Sequence, residues 1–408
     1  MKYQAWLLAL TLSICGFAHA QGPTPLKRLD AELLASDGQP NDGFGAHVAV
    51  DGDIVAVGKG LNPGSVYLYS LLSKGTVTEI AKLSASDGTP LFQGLAVGKN
   101  GHLVVAGAIS DTVKHHPNQG AVYVFVEPKE GWSGNITETA KLTASDGAAN
   151  NQLGISVSTT NGVIVAGAYL AGDKGQGEAY VYVEPQGGWV SGTETARLTA
   201  SNGQPGDAFG VSVAVFGPRI VVGADGYETE EGIAYVFQEP VGGWKTMTET
   251  AQLTHPGTGE FFGYPVAVSG KTVLVGASYA PHGGAAYIYV QPADGWVNTD
   301  TPDATLTEAG PGCFGDTVAI GSGMIAVGDP CVQWGRGKRS TTGDAAVYLE
   351  PSGGWQNSND GIVLRPFRSR QSNVAAVAEN RVIVGADMTD VGNNQGQGET
   401  FIYTIPEQ

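Results

Sequence analysis

The residues best suited to bind a ligand are basic side chains on two neighbouring segments near the end of the chain. They share this stretch with Trp334. The basic residues are Arg336, Lys338, Arg339, Arg365, Arg368 and Arg370. Arginine forms paired hydrogen bonds with carboxylate, sulfate and phosphate groups, and an indole ring stacks on sugar rings. We therefore predict a site for an anionic glycan or protein ligand; the alternative is a solvated loop whose tryptophan covers a neighbouring part of the fold.

No residue pattern indicates catalysis. The histidines are scattered, and only the adjacent His115-His116 pair has a spacing that suits metal ligands. There is no Gly-x-Ser-x-Gly elbow, phosphate loop or Cys-x-x-Cys motif. We predict no catalytic residue, metal site or cofactor. Carboxylates from distant loops could still meet around an axis, so a polysaccharide hydrolase or lyase is the alternative function.

A repeated spacing indicates which elements position these residues. Seven times, a glycine closes an apolar run fourteen residues after a slot that is usually Phe-Gly. The pairs are Phe44 and Gly58, Gln93 and Gly107, Leu153 and Gly167, Phe209 and Gly223, Phe262 and Gly276, Phe314 and Gly328, and Gln371 and Gly385. The units recur every 49 to 60 residues. Short strands at such a period are typical of a propeller.

One unit shows how each repeat should fold. Gly210 to Val215 alternates in polarity, and Arg219 to Gly223 is an apolar run. Gly232 to Gln238 carries alternating aromatic residues, and Thr248 to Thr254 is a polar strand. Four antiparallel strands joined in this order form a small sheet, and both faces of that sheet need a neighbour. We therefore predict an all-β, seven-bladed β-propeller of four-stranded antiparallel blades.

The two ends of the repeat region predict how the ring closes. Leu29-Asp30-Ala31-Glu32-Leu33 matches the outer-strand pattern, whereas Glu399 to Thr404 matches a third strand. Residues 28 to 35 should therefore complete the last blade. This pairing would remove an exposed sheet edge.

The first twenty residues have the features of a signal peptide. Lys2 precedes an apolar segment from Trp6 to Phe17, and Ala18-His19-Ala20 forms a cleavage site. We predict a signal peptide over residues 1–20 and a single propeller domain over residues 21–408, exported to the periplasm, cell surface or medium. The net charge of −17 disfavours nucleic acid as a partner, and no later segment is long and apolar enough for a membrane span. We expect a monomer.

Three segments carry a resemblance to a known family. ASDGQPNDGFG (Ala35 to Gly45), ASDGAANNQLG (Ala144 to Gly154) and ASNGQPGDAFG (Ala200 to Gly210) resemble the FG-GAP repeats of integrin α-subunit propellers and their bacterial secreted relatives. The resemblance covers residues 29 to 404 and implies a seven-bladed propeller with an extracellular binding or adhesion function. Repeats of this family often hold calcium between their first two strands. Here that connection is a short turn such as Phe216-Gly217-Pro218, so the calcium loops of the family are not evident, and calcium stays open as a cofactor.

Other repeated residues are interpreted as structural. Five tryptophans recur after Glu-Pro or Gln-Pro and are predicted to be packing anchors: Trp132, Trp189, Trp244, Trp296 and Trp355. Asp37, Asp87 and Asp146 are predicted to be turn residues whose carboxylates bind nearby backbone amides. The alternative is that they bind a cation together with Asp42 or Asp207.

The long variable connections should emerge on one face of the ring because of the direction of the strands. They join the second strand to the third and each blade to the next. Variable loops on a rigid scaffold are the usual place for recognition. We therefore predict a non-catalytic binding or adhesion propeller that engages a polysaccharide or protein through this face.

Two cysteines outside the signal peptide lie symmetrically about one turn. Cys313 and Cys331 are equally distant from Ser322 in Gly321-Ser322-Gly323. A regular hairpin would place them opposite each other, with Cα atoms about 4.5–5.5 Å apart, which a disulfide can span. Export favours the bond, and two buried free thiols are the alternative.

Overall fold

Seven antiparallel sheets surround a common axis. The computed structural model describes residues 28–60, 64–71, 77–226, 232–255, 260–308, 312–330, 334–335, 338–339, 343–364 and 373–406. Within these ranges no helix has the length and hydropathy needed to cross a bilayer. Each sheet is one blade, with an inner, a second, a third and an outer strand. The predicted seven-bladed, all-β fold is confirmed.

The strand boundaries repeat from blade one to blade seven. The inner strands are Phe44–Asp51, Leu95–Gly98, Val157–Thr160, Ser212–Phe216, Val266–Ser269, Thr317–Gly321 and Asn373–Ala378. The second strands are Ile54–Lys59, Leu103–Ala108, Val163–Ala168, Arg219–Ala224, Thr272–Ala277, Met324–Asp329 and Arg381–Ala386. The third strands are Val66–Ser70, Ala121–Val126, Glu178–Val183, Ile233–Gln238, Ala285–Val290, Asp344–Leu349 and Glu399–Thr404. The outer strands are Glu79–Ser84, Ala140–Thr143, Ala196–Thr199, Ala251–Leu253, Ala304–Leu306, Ile362–Leu364 and Arg28–Leu33.

The hydrophobic core lies between blades rather than within them. Leu68 of blade one packs in one buried cluster with Val104 and Tyr123 of blade two. Each inner strand also contacts the inner strand of the next blade, and Asn373–Ala378 of blade seven contacts Phe44–Asp51 of blade one. The ring is therefore continuous around the axis.

The N-terminal strand closes the ring, as predicted. Arg28–Leu33 pairs antiparallel with Glu399–Thr404, from Arg28 opposite Thr404 to Leu33 opposite Thr400. The pairing has one irregularity, between Leu29 and Ala31. The side chain of Leu33 is only 1% exposed, so this strand contributes to the core as well as to the sheet.

The fourteen-residue spacing is the length of the hairpin formed by the inner and second strands. In blade four the amide of Gly210 donates to the carbonyl of Gly223 at 3.0 Å, and Phe209 packs edge-on against Tyr235. The second strand of blade three ends beside this point. A Cβ atom on Gly167 would lie 1.8 Å from the carbonyl oxygen of Gly210, so only glycine permits the blades to approach this closely.

In blade two, Leu91 rather than Gln93 occupies the slot that phenylalanine fills elsewhere. Leu91 is 1% exposed, and its amide donates to Gly64 just as that of Phe209 donates to Gln176. Gln93 is only half-buried. The slot lies between two blades, and an apolar side chain fills it at lower desolvation cost than an amide.

The polar strand predicted over Thr248 to Thr254 is divided between two blades. Met247–Thr248 pairs in parallel with Ala196–Thr199 of blade three, and only Ala251–Leu253 belongs to blade four. Gly134–Thr137 and Gly192–Thr193 add to blades one and two in the same way. Three blades therefore have five strands instead of the predicted four.

Candidate functional site

The two kinds of long connection meet on one face of the ring, which we call the variable face. The amide of Phe209, at the entry to blade four, donates to Gln176 in the second-to-third-strand loop of blade three at 3.0 Å. Phe314, at the entry to blade six, bonds in the same way to Gly283 at 2.9 Å. Each entry segment is therefore held by the loop of the preceding blade, which gives the face a rigid framework.

The recurrent tryptophans lie toward the opposite face. Trp132, Trp189, Trp244 and Trp296 are at most 7% exposed, and Trp355 packs partly buried against the core between blades five and six. The indole nitrogen of Trp132 donates to the carbonyl of Gly101 at 2.8 Å, in the inner hairpin turn of its own blade. Their predicted role as packing anchors is confirmed.

The predicted basic site begins at blade six. Trp334–Gly335 and Lys338–Arg339 form a two-stranded ribbon, with the backbone of Trp334 opposite Arg339. The ribbon belongs to the connection between Met324–Asp329 and Asp344–Leu349, so it extends from the variable face.

The remaining members of the basic site are not described. Arg336, Arg365, Arg368 and Arg370 lie outside the described residues, as do Cys331 and the slot residue Gln371. Leu364, which precedes the second basic segment, is paired with Ala345 at the start of the third strand of blade six. Both basic segments therefore begin at the end of blade six where its third strand starts. The assembly of these side chains into one site stays a prediction, and so does the disulfide.

Three carboxylates stand at the base of the basic connection. The oxygens of Glu308, Asp329 and Asp344 all lie within 4.8 Å of one another, and Asp329 is the register partner of Asp344. Asp329 also accepts a hydrogen bond from the amide of Cys313 at 2.7 Å. Oxygen ligands of this type suit hard cations. The sequence did not predict this cluster, because its members come from three different strands or loops.

The repeated aspartates are held by side chains of their own blade. Asp37 accepts hydrogen bonds from the hydroxyl of Tyr67 at 2.6 Å and from the ammonium of Lys82 at 2.5 Å. That ammonium lies 5.1 Å above the ring of Tyr67, close enough for a cation–π interaction. The predicted contact with a nearby backbone amide is seen at Asp87, which accepts from Thr89 at 3.0 Å.

Equivalent clusters occur in blades two and three. Asp87 is joined to Tyr123 and Lys141, and Asp146 is joined to Tyr180 and Arg197. Burial alone would raise the pKa of Asp37, but the hydrogen bonds from Lys82 and Tyr67 outweigh it and lower the pKa below 3.8. The alternative prediction was that these aspartates bind a cation. In these three blades a lysine or arginine of the chain itself provides the positive charge beside the aspartate.

A second group of carboxyls lies at the inner rim of the variable face. Asp225 follows the second strand of blade four, and Asp316 immediately precedes the inner strand of blade six. Tyr264 lies between them, at the start of blade five: burial raises its pKa, and the charges of Asp316 and Asp225 raise it further. The charges of both aspartates act on Tyr264, so the three side chains lie near one another on the variable face.

The rim carboxyls have raised pKa values. Burial raises the pKa of Asp225 to about 6, and burial followed by the charge of Asp329 raises that of Asp316. Asp387 occupies the same repeat position as Asp225, and its pKa is raised by burial as well. The sequence analysis missed these residues. The available signal was the tripeptide Gly-Ala-Asp, which closes the second strand in blades four and seven.

The sequence matches a family model at four places in this ring. The model is described as FG-GAP repeat, and it matches residues 28–69, 136–182, 193–237 and 248–289. The four matched repeats and the seven-bladed ring are consistent with an FG-GAP repeat propeller. No curated protein matches the sequence. Each FG-GAP match begins in the outer-strand region of one blade and ends in the third strand of the next, so the repeat is offset from the blade by one strand.

Solved structures show the same fold in proteins with little sequence similarity. The ring is similar to a chain titled "Crystal structure of WD40 beta propeller domain of Doa1", with a TM-score of 0.53 and 14% identity. The match covers 94% of this chain and 98% of the other. At this level of identity the similarity concerns the architecture alone.

Proposed function

We propose that this FG-GAP propeller is a secreted, non-catalytic binding or adhesion protein that recognises a polysaccharide or protein through its variable face. One observation carries the proposal: entry segments and second-to-third-strand loops are hydrogen-bonded to one another on that face, as at Phe209 and Gln176. The sequence differences between repeats are concentrated there, whereas the opposite face repeats similar tryptophan-containing connections and hairpin turns. This arrangement is typical of recognition surfaces. The N-terminal signal-peptide pattern supports export.

The basic connection of blade six is the proposed ligand contact. It carries Trp334, Arg336, Lys338 and Arg339, and Arg365, Arg368 and Arg370 follow the outer strand of the same blade. The chain as a whole has a net charge of −17, so a basic cluster on one face would direct an anionic ligand to that place. Sulfate or carboxylate groups of a glycan suit paired guanidinium hydrogen bonds, and the indole suits a sugar ring.

Binding to immobilised heparin-like and alginate-like polymers tests this contact. We expect binding at low salt that weakens as the salt concentration rises, because exposed charges are screened. A variant with Arg336, Arg339, Arg365 and Arg368 changed to Ala should lose this binding while keeping its melting temperature. A matched control changes the exposed Lys129, Lys245 and Lys271, toward the opposite face, to Ala and should bind like the wild type. A wild-type protein that ignores both polymers at low salt would refute the anionic ligand.

Polysaccharide cleavage is the second candidate function, and the rim carboxyls favour it. A carboxyl with a pKa of about 6, such as Asp225, keeps its proton in mildly acidic solution and can act there as a general acid. A glycan array combined with a reducing-sugar assay separates the two functions. Turnover that is abolished by Asp225→Asn would favour the enzyme, whereas binding without turnover would favour the recognition protein.

A further inference from the structure

Blade four contains a cavity on the variable face. Its volume is about 130 Å³, and its lining includes Asp207, Ala224, Tyr235, Thr254 and His255. Asp207, Thr254 and His255 are each partly exposed, so the cavity reaches solvent. A cavity of about 150 Å³ in another protein accepts a molecule as large as benzene. This space is therefore large enough for a small organic group.

In blade one, a lysine side chain fills the corresponding place. The ammonium of Lys59 lies 2.8 Å from a carboxylate oxygen of Asp42, and both side chains are 7% exposed. The same oxygen of Asp42 accepts the amide hydrogen of Gln39 at 2.7 Å. The positive charge is thus buried against a carboxylate that the backbone already orients.

The repeat spacing places Asp207 and Ala224 at the positions of Asp42 and Lys59. Each aspartate stands two residues before the slot phenylalanine, and the paired position follows the glycine that closes the second strand. Asp207 accepts the amide hydrogen of Gln204 at 2.7 Å, which repeats the geometry of Asp42. Blade four therefore keeps the oriented carboxylate but has a methyl group where blade one has an aminobutyl chain.

The second cation of blade one is also missing from blade four. Lys82, which binds Asp37 in blade one, is replaced by Gln252, and Asp37 itself is replaced by Asn202. The amide of Gln252 donates to Glu249 at 2.7 Å. Among the described residues, no lysine or arginine forms an ion pair with Asp207. A half-buried carboxylate without a partner cation is unfavourable, and a ligand can supply that cation.

We propose that the blade-four cavity binds a primary ammonium group on a short alkyl chain, with Asp207 as the charge partner. The side chain of Lys59 shows the fit, because the same fold encloses it against the equivalent carboxylate. An exposed lysine of a partner protein and a free alkylamine share this chemistry. The site goes beyond the proposed function, since that function rests on the basic connection of blade six.

Butylammonium reproduces the Lys59 side chain and is the direct probe. In an NMR titration at neutral pH we expect saturable binding to the wild-type protein and no competition from the neutral 1-butanol. Asp207→Asn should weaken the binding at least tenfold. Ala224→Lys should abolish it, because the new side chain fills the cavity from within. Circular dichroism verifies that both variants remain folded.

The reciprocal change in blade one provides a matched control. Lys59→Ala should create a second butylammonium site, and added butylammonium should restore part of any lost melting temperature. A wild-type protein that shows no binding up to about 100 mM probe would overturn the proposal, as would Asp207→Asn and Ala224→Lys variants that bind the probe as tightly as the wild type. Lysine blocked at both backbone ends, and its Nε-acetyl form as the neutral control, distinguish the two possible ligands. Binding of the blocked lysine but not of its acetyl form indicates a lysine of a partner protein. Binding of butylammonium alone indicates a free amine.

Discussion

Glu249 accepts two hydrogen bonds from Ser201, one from its backbone amide at 2.9 Å and one from its hydroxyl at 2.5 Å. Ser201 follows the outer strand of blade three, whereas Glu249 precedes the outer strand of blade four. The carboxylate therefore joins the outer edges of two blades. The same pairing recurs as Glu79 with Ser36, Glu138 with Ser86, and Glu194 with Ser145.

Removing one of these inter-blade carboxylates should destabilise the ring. We expect Glu249→Ala to lower the free energy of unfolding by about 1–2 kcal/mol, because the two hydrogen bonds from Ser201 and the one from Gln252 are lost at a partly solvated site. Urea denaturation measures this change. Glu130→Ala, at an exposed glutamate, is the control and should have almost no effect.

The contribution of Glu249 should depend on pH in a defined direction. Burial raises the pKa of Glu249, but the hydrogen bonds from Ser201 and Gln252 outweigh it and hold the pKa below 4.5. A lowered pKa in the folded state means that the stabilisation is present above pH 4.5 and disappears as the pH falls through the folded-state value. The stability difference between wild type and Glu249→Ala should therefore shrink in acid; a constant difference would contradict this account.

Asp225 should have the opposite pH dependence. Its pKa is raised by burial to about 6 from 3.8, so its neutral form is the one that the folded state favours. The stabilisation is complete below pH 3.8 and is lost as the pH rises through about 6. Asp225→Asn, which stays neutral, should melt at a higher temperature than the wild type at pH 7.5 and at a similar temperature at pH 4. Melting curves at both pH values test this, and a variant less stable than the wild type at pH 7.5 would refute it.

Deleting residues 28–35 should open the ring. The deletion removes the outer strand of blade seven and the buried Leu33, and it exposes the edge of Glu399–Thr404. We expect the loss of most of a total stability of about 5–15 kcal/mol, seen as a much lower melting temperature. An unchanged melting temperature after the deletion would show that the strand pairing does not stabilise the ring.

Thiol titration of the denatured, unreduced protein tests the predicted disulfide between Cys313 and Cys331. After removal of the signal peptide with Cys15, we expect no free thiol, because the two remaining cysteines are placed symmetrically about one turn. The structure describes that turn as the hairpin of Thr317–Gly321 with Met324–Asp329. Two free thiols per chain would eliminate the bond.

The architecture could be predicted because the same hairpin length and the same strand patterns recur in every repeat. The spacing from Phe209 to Gly223 is a hairpin length, and the pattern of Leu29 to Leu33 identified the closing strand. The parallel addition of Met247–Thr248 was missed, since no local pattern distinguishes a strand that crosses to the neighbouring blade. Alternating polarity and β-propensity indicate that a segment forms a strand, but they do not indicate which strand it pairs with.

The site was less accessible to sequence reasoning, because its contacts join distant positions. Aligning the repeats on the slot residue would have shown that Ala224 occupies the position of Lys59. That difference indicates a binding site only once the buried ion pair between Lys59 and Asp42 is known. The basic residues were found from their clustering, which requires no alignment. Their joint action depends on side-chain geometry that spacing alone does not determine.

The position of the closing strand determines how the ring responds to mechanical load. Arg28, at the start of that strand, lies opposite Thr404, at the end of the third strand of blade seven. The chain therefore enters and leaves this strand pair at the same end of the two strands. A force that separates these ends breaks the backbone pairs one after another, instead of loading them all in shear. A ring pulled through these two strands would therefore open first at this single seam, and the other six blades would initially remain paired.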